Sequence, residues 1–139
     1  MRPILMPLAA LALAATPALA DEVWTTPLGP VAWESDLGAD AVLRLDQPDG
    51  RVVRLIVPGL AADMMGGRGS YTGVWVSARG EVPCATEMVD PLGGKSPYWG
   101  TFTLTFVHDA FPSDWAGVYG ACLDTPDRPL AGVAQVGGE

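Results

Sequence analysis

Basic side chains are scarce in this 139-residue chain, with eight lysines and arginines against sixteen aspartates and glutamates. One of the eight, Arg2, lies in an amino-terminal leader, so residues 21–139 carry seven basic groups against sixteen acidic ones, a net charge of −9. That balance repels phosphate backbones and anionic lipid surfaces, which argues against nucleic acid as a partner and leaves a cationic exported protein electrostatically permitted. Histidine is limited to His108, and cysteine to Cys84 and Cys122. No apolar run after residue 20 approaches the ~20 residues of a membrane-spanning helix. Nor does any later segment keep an amphipathic helical period for three turns, and internal repeats and low-complexity linkers are lacking.

The one long apolar run is at the start. Arg2 precedes Ile4 to Ala15, Pro17 breaks the run, and Ala18-Leu19-Ala20 supplies the small-x-small pattern of a signal-peptidase site. The expectation is a cleaved signal peptide over 1–20 and a single β-rich domain over 21–139, soluble and periplasmic or secreted. No cysteine near the cut permits lipid attachment. The remaining length suits one domain with one modest core.

In an oxidising compartment the two cysteines predict one structural disulfide. The alternative, a redox or metal pair, lacks the Cys-x-x-Cys spacing that such chemistry favours.

Alternation with period two identifies the strands. Phe102, Leu104 and Phe106 share one face of Trp99–His108, with Thr101, Thr103 and Thr105 on the other. Ala41–Leu45 and Arg51–Val57 flank Asp46-Gln47-Pro48-Asp49-Gly50 and read as a hairpin, placing Leu43, Leu45, Val53 and Leu55 inward and Arg44 and Arg54 on a wet outer face. Shorter strands are expected at 23–26, 31–34, 73–78, 115–123 and 130–136, with the prolines between strands. Single helical turns are conceivable at 61–65 and 112–115. The fold expected is all-β, a small antiparallel β-sandwich or β-barrel of about seven or eight short strands with one disulfide. Two glycine-containing connections, 58–70 and 80–97, are long for hairpin loops and are candidate binding segments.

Candidates for chemistry are few. His108 precedes Asp109, and Ser113 or Ser96 would complete a hydrolytic set, but neighbouring strand residues point to opposite faces. Asp46-x-x-Asp49-Gly50 lacks the further oxygen ligands of a calcium loop. Met64 and Met65 with His108 make a thin copper set. No catalytic residue, metal or cofactor is therefore expected, and a small hydrolase using His108 ranks third among the functional readings.

Aromatic residues carry more information: Trp24, Trp33, Trp75, Trp99 and Trp115, with Tyr71, Tyr98 and Tyr119. Large rings with a polar edge suit small-barrel cores and ligand-cavity walls alike. Candidate binding residues are Trp75, Tyr71, Trp99, Trp115, Met64 and Met65. Trp75 and Ser77 alternate with Val74 and Val76, so one of these two pairs must leave the main core. Tyr71-Thr72-Gly73-Val74-Trp75 resembles the Gly-x-Trp entrance strand of lipocalin-like and avidin-like barrels, which would imply a barrel. There the motif opens the first strand, whereas here about fifty residues of the expected mature chain precede it, so no family is assigned. The leading expectation is a non-catalytic exported domain that binds a protein or a small apolar ligand, an inhibitor of a cationic enzyme being one form. The alternative is a structural or accessory protein of the cell envelope, joined through a strand edge.

Overall fold

The computed structural model describes residues 22–63, 68–109 and 111–135. The expected signal peptide, Met64, Met65 and Val136 lie outside the described residues. Ten strands form: β1 (Val23–Thr26), β2 (Gly29–Leu37), β3 (Asp40–Asp46), β4 (Val52–Val57), β5 (Arg68–Ser77), β6 (Met88–Asp90), β7 (Gly94–Ser96), β8 (Tyr98–Val107), β9 (Trp115–Tyr119) and β10 (Arg128–Ala134). One short helix among the described residues, α1 (Leu60–Asp63), follows β4.

Eight of the strands close an antiparallel barrel in the order β1-β10-β9-β8-β5-β4-β3-β2. Each barrel strand pairs with its neighbour in the chain, and β1 with β10 completes the ring through Trp24 opposite Ala134. The remaining two, β6 and β7, make a separate hairpin inside the long β5–β8 connection. The choice between sandwich and barrel is thus settled as a barrel. Several strands run further than alternation alone indicates, because pairing extends them: β5 matches β8 over ten residues, from Arg68 opposite Val107 to Ser77 opposite Tyr98. Strand β9, in contrast, stops at Tyr119. Pro30 and Pro129 lie inside strands rather than between them, each at the second position of its strand.

The 41–57 hairpin has the expected register, with Leu43 opposite Leu55 and Leu45 opposite Val53. Its outer face is not uniformly wet. Val42 and Val76, both outward, are fully buried, and Arg54 retains only 18% side-chain exposure. The β6–β7 excursion lies over this face and supplies Asp90 to Arg54 at 3.1 Å. Directly opposed Arg44 and Arg54 would repel. Glu34 lies between them, 3.6 Å from Arg44 Nη1 and 2.9 Å from Arg54 Nε. The Glu34 hydrogen bond foremost, with Asp90 adding to it, raises Arg54 above its ordinary arginine value against the opposing effect of burial.

One end of the barrel is closed by aromatic rings. Trp24, Trp33, Tyr71, Phe106 and Phe111 meet there, with centroid separations of 5.7–6.2 Å in tilted or edge-on geometries, arrangements that suit ring quadrupoles. Leu60 of α1 adds a buried side chain to the core. The backbone of Ala61 bonds to Ala39 O at 2.9 Å, tying α1 to the β2–β3 turn. The β8–β9 loop is anchored by Trp24 Nε1 donating to Ser113 O at 2.9 Å and by Ala134 N donating to Asp114 Oδ1 at 2.7 Å.

Two inward indoles lie against the wall opposite a glycine. The Trp75 ring covers Gly100 and donates from Nε1 to Gly120 O at 2.8 Å, and Trp115 covers Gly132. A side chain at Gly100 would run into the Gly120 carbonyl oxygen and stand 2.5 Å from Trp75 Nε1. Gly100→Ala is therefore expected to destabilise the domain by about 3 kcal/mol, through overpacking against fixed backbone. Urea unfolding checks this, and wild-type stability would show that the wall yields at this point.

Asp114 makes a second prediction. Its carboxylate is held below the ordinary 3.8, first by the Ala134 amide and next by His108. A folded-state value below the unfolded one means stability is present above about pH 4 and is lost as pH falls through the folded value. Asp114→Asn should flatten this part of the acid limb, read as unfolding free energy against pH between 5 and 2; an unchanged limb counts against the contribution.

Candidate functional site

The end of the barrel opposite the aromatic plug is open. It is bordered by the β1–β2 and β3–β4 turns, the β5–β8 excursion and the β9–β10 loop. A cavity of about 700 Å³ opens there. Its apolar wall includes Leu45, Val53, Leu55, Phe102, Leu104 and Leu130, with Trp75, Trp115 and Tyr119 supplying rings. Alternation puts these residues on one face of each strand, and closure turns that face inward. Since the indoles of Trp75 and Trp115 lie over glycines, the walls carry bulk while the axis near the mouth keeps space.

Polar groups gather at the rim: Gln47, Arg51, Arg79, Glu81, Asp124, Asp127 and Arg128. The β3–β4 turn orders two of the arginines. Asp49 accepts from Arg51 N at 2.9 Å and pairs with Arg51 Nη2 at 3.3 Å, while Arg79 Nη2 donates to Asp49 O at 3.1 Å. The backbone hydrogen bond from Arg51 is the main reason that Asp49 sits below its usual carboxylate range. Two polar atoms of cavity-lining residues, Trp115 Nε1 and Gln47 Oε1, are buried without a hydrogen-bond partner. Such orphaned groups are uncommon in folded interiors.

Cys84 and Cys122 form the expected bridge, with Cα atoms 5.5 Å apart. It joins the excursion to the β9–β10 loop, where Trp75 already grips Gly120. Cys84 N bonds Pro97 O and Cys122 N bonds Trp99 O, both at 2.8 Å. The mouth is therefore stapled from two sides.

The proposed binding residues separate. Trp75 and Trp115 line the cavity, Trp115 almost fully buried at 3% exposure. Trp99 also borders the cavity, but it pairs with outward Val76, and its ring, 5% exposed, donates from Nε1 to Thr86 O at 2.9 Å beneath the excursion. Tyr71 belongs to the closed end, where it stacks edge-on with Phe106; burial first, then Asp63, pushes its phenol up. The hydrolytic set does not assemble. His108 Nε2 lies 3.2 Å from Asp114 Oδ2. Ser113 Oγ accepts from His108 N and donates to Asp114 O, both at 2.8 Å, and Ser96 Oγ donates to Ser77 O. Among the described residues, no three His, Cys, Asp or Glu side chains cluster as a metal site.

No family model, curated protein or solved structure matches this chain. The site is accordingly built from its own residues, and three of them escaped the sequence reading. Arg51 and Arg79 continue the inward alternation beyond the strand ends, two residues before Val53 and two after Ser77, and Arg128 opens β10 opposite Tyr119. That parity was the available signal.

Removing the bridge with Cys84→Ser and Cys122→Ser should cost about 4 kcal/mol in unfolding free energy on the chain-entropy account. Amide exchange should rise first in residues 120–124, while β3 and β4 keep their protection. Uniform acceleration across the barrel would contradict a local role at the mouth.

Proposed function

We propose that this protein is a non-catalytic binder of a small apolar ligand, which enters the open end of the barrel and rests against Trp75, Leu55, Phe102 and Trp115. The supporting observation is the apolar-walled cavity of about 700 Å³ at the mouth of a closed barrel. Small-molecule sites generally fall between roughly 300 and 1,000 Å³ and combine apolar walls with a few polar groups. An eight-stranded barrel is at the size where the interior is either filled by side chains or holds one small ligand. Here both conditions occur at different ends. The plug fills one end, and rings laid on the wall leave room at the other.

The accessory reading asks for a free strand edge; the closed barrel has none, and the edges among the described residues belong to the three-residue strands of the β6–β7 hairpin. Export, expected from the leader, would place the binding event in the periplasm or outside the cell. The bridge at the mouth suits that compartment and reduces the loop ordering that binding would otherwise cost.

The test uses a neutral apolar fluorophore, N-phenyl-1-naphthylamine. The expected result is saturable, one-to-one fluorescence enhancement with the native protein. Leu130→Trp, which places a large ring into the cavity from a half-buried position, should weaken it by at least about tenfold while leaving the unfolding midpoint close to that of the native protein. Absence of enhancement, or enhancement that ignores the Leu130→Trp ring, would sink the reading.

A further inference from the structure

We infer, resting on the ligand reading above, that the ligand is an amphipathic monoanion: an apolar tail inside the barrel and a carboxylate head held at the mouth by Arg51, Arg79 and Arg128. The distribution of charge carries the argument. Residues 21–139 hold only seven basic side chains against sixteen acidic ones. Three of the seven basic groups line the cavity, but only three of the sixteen acidic ones do, namely Glu81, Asp124 and Asp127. Basic groups are thus over-represented at the mouth: they equal the acidic lining groups in number, with Asp49 also paired to Arg51, in a chain where acids outnumber bases about two to one.

Geometry strengthens the contrast. Arg128 is directly opposite Tyr119, which is in turn opposite Phe102, so all three belong to the inward face. Asp127 lies just before β10, its amide bonded to Tyr119 O at 3.2 Å. Asp124 belongs to the turn closed by its own amide on Ala121 O at 3.0 Å, and its side chain is exposed. Arg51 and Arg79 converge on the β3–β4 turn through Asp49, which orders their guanidinium groups at the rim. Arg128 forms no ion pair among the described residues, so its donors are available. Guanidinium groups present planar donor forks that match a carboxylate. An apolar wall behind a cationic rim selects a molecule with both characters.

Three ten-carbon probes isolate the head group: decanoate, decanol and decylammonium, each titrated below its micelle threshold and read by tryptophan fluorescence and calorimetry at pH 7. Decanoate is expected to bind roughly tenfold more tightly than decanol, with decylammonium weakest, and added salt should narrow the gap. In Arg51→Gln/Arg128→Gln the decanoate-to-decanol affinity ratio should fall to about one, whereas Leu130→Trp should weaken both probes and preserve the ratio. Equal binding of the three probes, a preference for decylammonium, or a decanoate preference that survives loss of both arginines overturns the inference while the cavity reading stands. Failure of all three to bind the native protein overturns both.

Discussion

The contact between the Trp75 indole and Gly100 is the constraint on which the open end depends. An eight-stranded barrel has little spare interior, and an indole directed at the axis would fill its mouth. Glycine on β8 lets the ring lie over the neighbouring strand instead, and the ring's N–H then reaches the Gly120 carbonyl. That hydrogen bond fixes the start of the β9–β10 loop, and two residues later Cys122 ties the same loop to the β5–β8 excursion. Ring placement, loop position and mouth width are therefore one structural event. The Trp115–Gly132 pair repeats the device deeper in the barrel, in keeping with the way aromatic rings compensate strand glycines.

The two ends apply the same residue types to opposite purposes. At the closed end, five rings meet edge to face, α1 adds Leu60, and the polar groups of the β8–β9 loop are consumed by backbone partners. His108 and Asp114 are part of that anchoring, which explains why a histidine, a serine and an aspartate lie close together without forming a catalytic set. At the open end, the rings stay at the wall and the polar groups remain at the rim. Outside the barrel, the excursion covers Val42, Val76 and Trp99 and closes over the Glu34–Arg54–Asp90 cluster. A second, smaller core thereby stands on the outer face and supports the strands that carry Trp75 and Leu55.

Alternation made much of this legible in the sequence. Phe102, Leu104 and Phe106 on one face of β8, and Leu43 with Leu55 across the β3–β4 hairpin, follow from period two and a turn of Pro, Asp and Gly. The disulfide followed from an even cysteine count together with the export expected from the leader. Barrel closure was not legible, because it depends on β1 meeting β10 across the whole chain, and spacing records only neighbours. The outward burial of Trp99 was hidden for a similar reason: it is imposed by an excursion whose β6 and β7 are only three residues each. Trp75 was ambiguous until its face was known, since Val74–Ser77 offers two apolar sets of equal weight. Arg51 and Arg79 lie beyond the ends of β4 and β5, and Arg128 lies at the start of β10, two residues before the stretch that alternation marks.

A strongly acidic protein with an arginine-lined mouth poses an electrostatic question that distance resolves. The net charge of −8 belongs to groups spread along the chain, and at physiological ionic strength their influence decays over about 8 Å. An approaching anion therefore meets mainly the groups nearest the opening. Those groups include Arg51 and Arg79, held by one turn, and Arg128 on the inward face, beside Glu81, Asp124 and Asp127. Within the mouth, apolar walls lower the local dielectric and lengthen the reach of each guanidinium. The acidic exterior acts differently. It disfavours adsorption to anionic surfaces, and on the proposed reading attraction to a ligand carboxylate would act at the mouth, in front of the apolar wall.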